Sequence, residues 1–128
     1  MARGTLIFRL AGLGAAALLA QAAHAHHGWS WAESEPMTLQ GTVAKVQIAP
    51  PHPWLDVQTE DGLWRVELGN PSQTQRAGFD ESSAKPGDAF TAIGNRAKDA
   101  GEKRMKAVQV TVGGKTYDIY PSRIPKQP

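Results

Sequence analysis

The residues of this chain whose types and spacing could do chemistry are its four histidines and two carboxylates on neighbouring strands. Three histidines fall in Ala23-His24-Ala25-His26-His27-Gly28-Trp29, and the fourth, His52, stands among prolines in Ala49-Pro50-Pro51-His52-Pro53. Exposed imidazole nitrogens suit copper, zinc and nickel, and Cu(II) accepts planar or T-shaped nitrogen sets. A cut after Ala25 makes His26 the first residue, whose α-amine and ring Nδ1 can then close one chelate ring on a metal. His27 or His52 would add a third nitrogen. Copper is the ion such a set prefers, and zinc fits it less well. A cut after Ala22 instead moves the amine away and leaves a cluster of His24, His26 and His27, better suited to zinc or nickel. The bland alternative is two solvated arm histidines and a loop histidine packed among prolines.

Asp56 and Glu67 form the second constellation, with Trp54 beside them. On a hairpin closed by Asp61-Gly62 the two acids face each other. Cross-strand acids repel unless a cation lies between them. Arg65 or a basic residue of a neighbouring strand would supply that cation without any function. The sharper readings are a metal ligand, a general acid or base, or a Glu67 acceptor that orients an imidazole from behind. Trp54 next to His52 could shield a metal or stack on a ligand.

The chain that positions these groups has 128 residues and opens on an export signature. Arg3 and Arg9 precede the apolar run Leu10–Ala20, and Ala23-His24-Ala25 is a small-x-small cleavage site. The run is too short for a membrane span of ~20 residues. A cleaved signal over residues 1–25 predicts a periplasmic or secreted protein with no membrane anchor after cleavage. The remaining 103 residues make one small domain carrying twelve basic and twelve acidic residues. No basic run or basic-aromatic array marks a nucleic-acid protein. With no cysteine, neither a disulfide framework nor a thiolate metal site exists.

Residues 26–36 read as an N-terminal arm whose Trp29 and Trp31 pack on the domain. Residues 37–120 form the domain itself, and 121–128 a tail. Met37–Val43 alternates as a half-buried strand that continues toward Ile48, its phase disturbed around Gly41 or Lys45. Trp54–Thr59 and Leu63–Leu68 are a hairpin pair, with Thr59 opposite Trp64, Val57 opposite Val66 and Leu55 opposite Leu68. That apolar set points inward, which turns Trp54, Asp56, Gln58, Arg65 and Glu67 outward. Asn70 caps a short helix that begins with Pro71 and stops at Gly78. After a tight Lys85–Asp88 turn come strands Ala89–Gly94 and Met105–Val112, then a short Thr116–Tyr120 strand.

Three strands, one short helix and two further strands is the order of the OB-fold. The predicted fold class is therefore all-β: a small five-stranded OB-like barrel with one short helix between strands 3 and 4. Ligands of that fold lie across strands 2 and 3, near the loop between strands 1 and 2, here the loop holding His52. The residues His26-His27, Gly41-Thr42-Val43, Pro51-His52, Glu67, Asn70-Pro71, Arg76 and Lys85-Pro86-Gly87-Asp88 resemble a family of small, exported, uncharacterised bacterial proteins. Pro51 stands where that family usually has asparagine, and Gly28 where serine is common. The resemblance implies a secreted small β domain and no established activity. The His26 chelate itself resembles the histidine brace of mononuclear copper proteins.

Two functions are consistent with these residues. The first is a periplasmic metal-binding protein, copper preferred, acting as carrier, buffer or accessory through His26, His27 and His52, with Trp54, Asp56 and Glu67 behind them and a periplasmic protein as partner. The second is an OB-type module that binds a small ligand or partner protein with no metal. An enzyme ranks behind both, because no cysteine, nucleophile elbow or serine–histidine pairing is present.

Overall fold

The computed structural model describes residues 28–126. Contacts divide the chain between Ser30 and Trp31, and the β domain belongs to the unit that begins with Trp31. His26, His27 and the expected signal over residues 1–25 lie outside the described residues.

Among the described residues six strands form in chain order: β1 Met37–Gln47, β2 Trp54–Thr59, β3 Gly62–Glu67, β4 Ala89–Arg96, β5 Arg104–Val112 and β6 Lys115–Asp118. Helix α1, Pro71–Arg76, lies between β3 and β4, and a single 3-10 turn, Pro121–Arg123, comes after β6. The strands run in the order β3-β2-β1-β4-β5-β6, and a parallel β3–β5 pairing closes the first five into a barrel. This is the OB-like barrel with its helix where the sequence predicts it; β6 is an addition hairpinned onto β5.

Alternation explains which residues fill the barrel. Leu55 and Val57 of β2, Trp64 and Val66 of β3, and Phe90 and Ala92 of β4 are all buried in one core, while their sequence neighbours turn out. On β5 the inward set runs Met105, Ala107, then Val110, Val112. The break in period matches the register shift at Ile93/Gly94 on the partner strand. Helix α1 buries only Thr74, whose Oγ1 donates to Gly69 O at 2.9 Å. The core plug is Phe79, just beyond it, set edge-on to Tyr117 at 5.0 Å between ring centroids. Full burial of such a side chain is worth roughly 1.5–3 kcal/mol.

Two local expectations need correcting. The hairpin loop is Glu60-Asp61, not Asp61-Gly62, so Thr59 pairs with Gly62, Val57 with Trp64, Asp56 with Arg65 and Trp54 with Glu67. Thr59 Oγ1 accepts from Asp61 N at 3.0 Å and donates to Gly62 O at 2.9 Å, which closes the turn one residue early. Gly62 takes the positive φ of 115° this requires. The slip is two residues in total, so both faces survive it and only the partners change. The second correction concerns the last strand, which ends at Asp118. Ile119 N and Tyr120 N turn back to share Val108 O.

The phase disturbance in β1 falls at Ala44, where the register shifts between Val43 and Lys45. Gly41 serves another purpose: a Cβ there would sit 2.2 Å from Gln58 O, so glycine lets β1 cross β2 closely.

At α1, Asn70 Oδ1 accepts from Gln73 N at 2.8 Å and from Ser72 Oγ at 3.0 Å. Asn70→Ala is expected to cost about 1 kcal/mol, read as a lower urea midpoint with an unchanged slope. A loss below a few tenths would show that the cap contributes nothing.

Candidate ligand face on strands β2, β3 and β5

The outward residues of four strands fall into two cross-strand rows. Lys45, Asp56, Arg65 and Arg104 are successive partners across β1, β2, β3 and β5. One step along, Gln47, Trp54, Glu67 and Lys106 are partners in the same way. Asp56 and Glu67 therefore do not face each other as the sequence suggested, and each acid meets a cation instead. Arg65 Nε donates to Asp56 Oδ1 at 2.7 Å. Arg104 Nε donates to Glu67 Oε2, and its Nη1 to Glu102 Oε1 at 3.2 Å.

Two tryptophans are capped by these arginines. The Arg65 guanidinium lies 3.5 Å from the centre of the Trp54 ring, with Lys45 Nζ at 5.5 Å. Arg104 lies 3.7 Å from the centre of Trp31. Trp31 reaches that position because the chain beside it pairs with the end of β4. Ala32 bridges Ala97, Lys98 N donates to Trp31 O, and Glu33 N donates to Arg96 O. Guanidinium over indole is a favourable, orienting contact.

Beneath this surface Lys106 is buried, 7% exposed. Its ammonium lies 5.7 Å from the Tyr120 ring centre. Burial lowers its pKa below the ordinary lysine value, and the Glu67 charge works against that fall. Burial also opposes the charge of Arg104, but its bonds to Glu67 and Glu102 outweigh the penalty and raise its pKa. Glu67 thus sits between two cations as their shared counter-charge.

A groove of about 360 Å³ opens on the face, lined by Trp54, Arg65, Glu67, Glu102, Lys103 and Arg104. The β4–β5 loop forms its wall and is pinned to β3, since Arg65 N donates to Lys103 O at 3.0 Å. A second groove of about 480 Å³ lies between the β1–β2 loop and α1, where Ile48, Pro53, Pro71, Phe79 and Glu81 meet.

His52 is exposed on the β1–β2 loop, after the cis Pro50–Pro51 bond and two residues before Trp54. Among the described residues no three histidines or acids gather as a metal centre. Trp54, Asp56 and Glu67 share one face as the alternation predicts. The role of Arg104 escaped the sequence, because a parallel pairing between β3 and β5 leaves no local signal.

A family model described as a family of unknown function, DUF6152, matches residues 15–106. The chain belongs to DUF6152. No curated protein matches it. Among solved structures, this DUF6152 chain resembles one in the crystal structure of the S. pombe Stn1-ten1 complex, at 20% identity and TM-score 0.47, over 60% of this chain and 57% of that one. It also resembles the ZRD-deleted mutant of TiaS in complex with agmatine, at 17% identity and TM-score 0.51, over 69% of this chain and 27% of that one. The DUF6152 chain thus spans less than two thirds of either. At 17% identity the likeness to the TiaS structure speaks to fold alone.

Proposed function

We propose that this DUF6152 protein is an exported binding module of the OB type, which takes a small ligand or a partner protein on the outward face of β2 and β3. The observation that carries the reading is the Arg65 guanidinium stacked 3.5 Å over Trp54. It is an ordered aromatic and cationic surface on the strands where OB-folds bind. Export is supported by the Arg3 to Ala25 signature in the sequence. The test is a titration of ¹⁵N-labelled protein with small anionic, neutral and cationic aromatic compounds. Shifts gathering at Trp54, Arg65, Lys103 and Arg104 are expected. A response confined to Ile48, Phe79 and Glu81, or none, overturns the small-ligand form of the reading.

A second reading is favoured by the exposure of His52 on the loop that leads into Trp54. In it the protein binds Cu(II) through the amine and ring of a processed His26, with His27 and His52 as further nitrogen ligands. Asp56 and Glu67, already paired with arginines, would take no part in that set. Untagged protein exported by a bacterial host is weighed to find its terminus, then titrated with Cu(II) and followed by EPR. One copper held by three nitrogens on a His26 terminus, weakened at least about tenfold by His52→Ala, supports this reading. A different terminus with weak, non-stoichiometric uptake removes it.

A further inference from the structure

We infer that the groove beside Trp54 is an oxyanion site, in which the open end of the Arg65 guanidinium receives the carboxylate or phosphate of an aromatic ligand. This rests on the proposed ligand face of β2 and β3 and names the chemistry that face selects.

Arg65 is fixed from two directions. Its Nε is committed to Asp56 Oδ1 at 2.7 Å and its plane lies on Trp54. What remains is the Nη1/Nη2 pair, which makes no hydrogen bond among the described residues, while the Arg65 side chain is 43% exposed. Two parallel N–H donors in one plane match the two oxygens of a carboxylate or phosphate. The rotamer entropy that an arginine usually loses on binding is already spent in the stack, so the donors are preorganised.

The charges around the groove favour an anion. Of its acids, Glu67 and Glu102 both turn to Arg104, and Asp56 is held by Arg65 itself. Lys103, on the groove wall, has no carboxylate within 4.0 Å among the described residues, and neither has Lys45 beside Trp54. The Lys103 side chain lies along Gly62, where a Cβ would meet its Cε at 3.4 Å. Two ammonium groups and the arginine fork thus stand near the groove without an acid of their own beyond Asp56. Its volume of about 360 Å³ falls at the small end of ligand sites, roughly 300–1,000 Å³. Trp54, half-buried under the guanidinium, lines the groove as its aromatic wall.

The probes are benzoate, phenyl phosphate, inorganic phosphate and neutral benzamide, titrated into the full processed protein by ¹⁵N NMR that includes arginine and indole side-chain signals. Benzoate and phenyl phosphate are expected to shift Arg65 Nε and the Trp54 indole, to bind more tightly than inorganic phosphate, and to weaken as salt is raised. Arg65→Gln should weaken them at least about tenfold, and Arg65→Lys should not restore them, since a point charge lacks the fork. Lys103→Gln, away from the stack, should weaken them severalfold with the fold intact. Inorganic phosphate binding as tightly as phenyl phosphate overturns the aromatic half of the inference. Benzamide binding as tightly as benzoate, or Arg65→Gln without effect, overturns the oxyanion site and leaves the ligand face standing. No shift on this face with any of the four overturns the oxyanion site, while the ligand face falls only if cationic compounds leave it unshifted too.

Discussion

Gly94→Ala is expected to lower the stability of the barrel by about 3 kcal/mol or more. A Cβ at position 94 would lie 2.2 Å from Lys106 O, 2.9 Å from Ala107 Cα and 2.7 Å from Met105 Cε. The methionine end can swing aside. The carbonyl and the Cα cannot, because they belong to the β5 backbone that pairs with β4 on one edge and β3 on the other. Overpacking against side chains costs roughly 1–3 kcal/mol, and here rigid backbone has to yield, so the loss lies at or above the top of that range. A domain of this size has only about 5–15 kcal/mol in total. Urea unfolding followed by tryptophan fluorescence reads the change. Gly101→Ala is the control: its nearest neighbour is Asp99 Oδ1 at 3.4 Å and it lacks a positive φ, so a shift within about 0.5 kcal/mol is expected. A Gly94 variant losing less than about 1 kcal/mol would mean that β4 and β5 are not so closely apposed.

Removing the charge of Glu67 is expected to have the next largest effect. Glu67→Gln leaves Arg104 with Glu102 alone and takes the counter-charge from Lys106. Breaking a fully buried pair costs about 3–5 kcal/mol. The side chains of Arg104 and Glu67 are 30% and 18% exposed, so solvent screening reduces the expected loss to about 1–2 kcal/mol at neutral pH.

The pH dependence carries a sign. Burial lowers the pKa of Lys106 in the folded state, so between that lowered value and the ordinary lysine value the unfolded chain holds more protons. Stability therefore rises with pH through this window. Losing Glu67 lowers the folded pKa further and starts the rise at a lower pH. Once Lys106 is neutral in both states, its share of the deficit disappears. The gap between wild type and Glu67→Gln should accordingly narrow as the solution becomes alkaline. A gap that stays constant would assign the whole loss to Arg104.

Much of the architecture could be read from local chemistry. Alternation in Leu55–Val57 and Trp64–Val66 is a property of neighbouring residues, so the inward and outward faces of the hairpin were legible without any partner. Asn70-Pro71 with Gly78 marked both ends of α1 because capping and positive φ are local demands. The order of strands around one helix then pointed to the OB-like barrel. Trp54, Asp56 and Glu67 could be set on one face for the same reason.

What escaped were the terms that depend on which backbone lies alongside. The hairpin register goes with Thr59 Oγ1 closing the turn at Glu60-Asp61, a choice between two loops that composition does not decide. It separated Asp56 from Glu67 and set Arg65 opposite Asp56. Arg104 reaches Glu67 and Trp31 only because β5 closes the barrel in parallel with β3, 37 residues away in the chain. Gly94 looks like any strand glycine until β5 is laid 2.2 Å from its missing Cβ. Side-chain periodicity is set by the nearest bonds and survives in a string of letters. Pairing between distant strands is set by the closure of the whole barrel, and the counter-charges on the outward face of β2, β3 and β5 come into being with that closure.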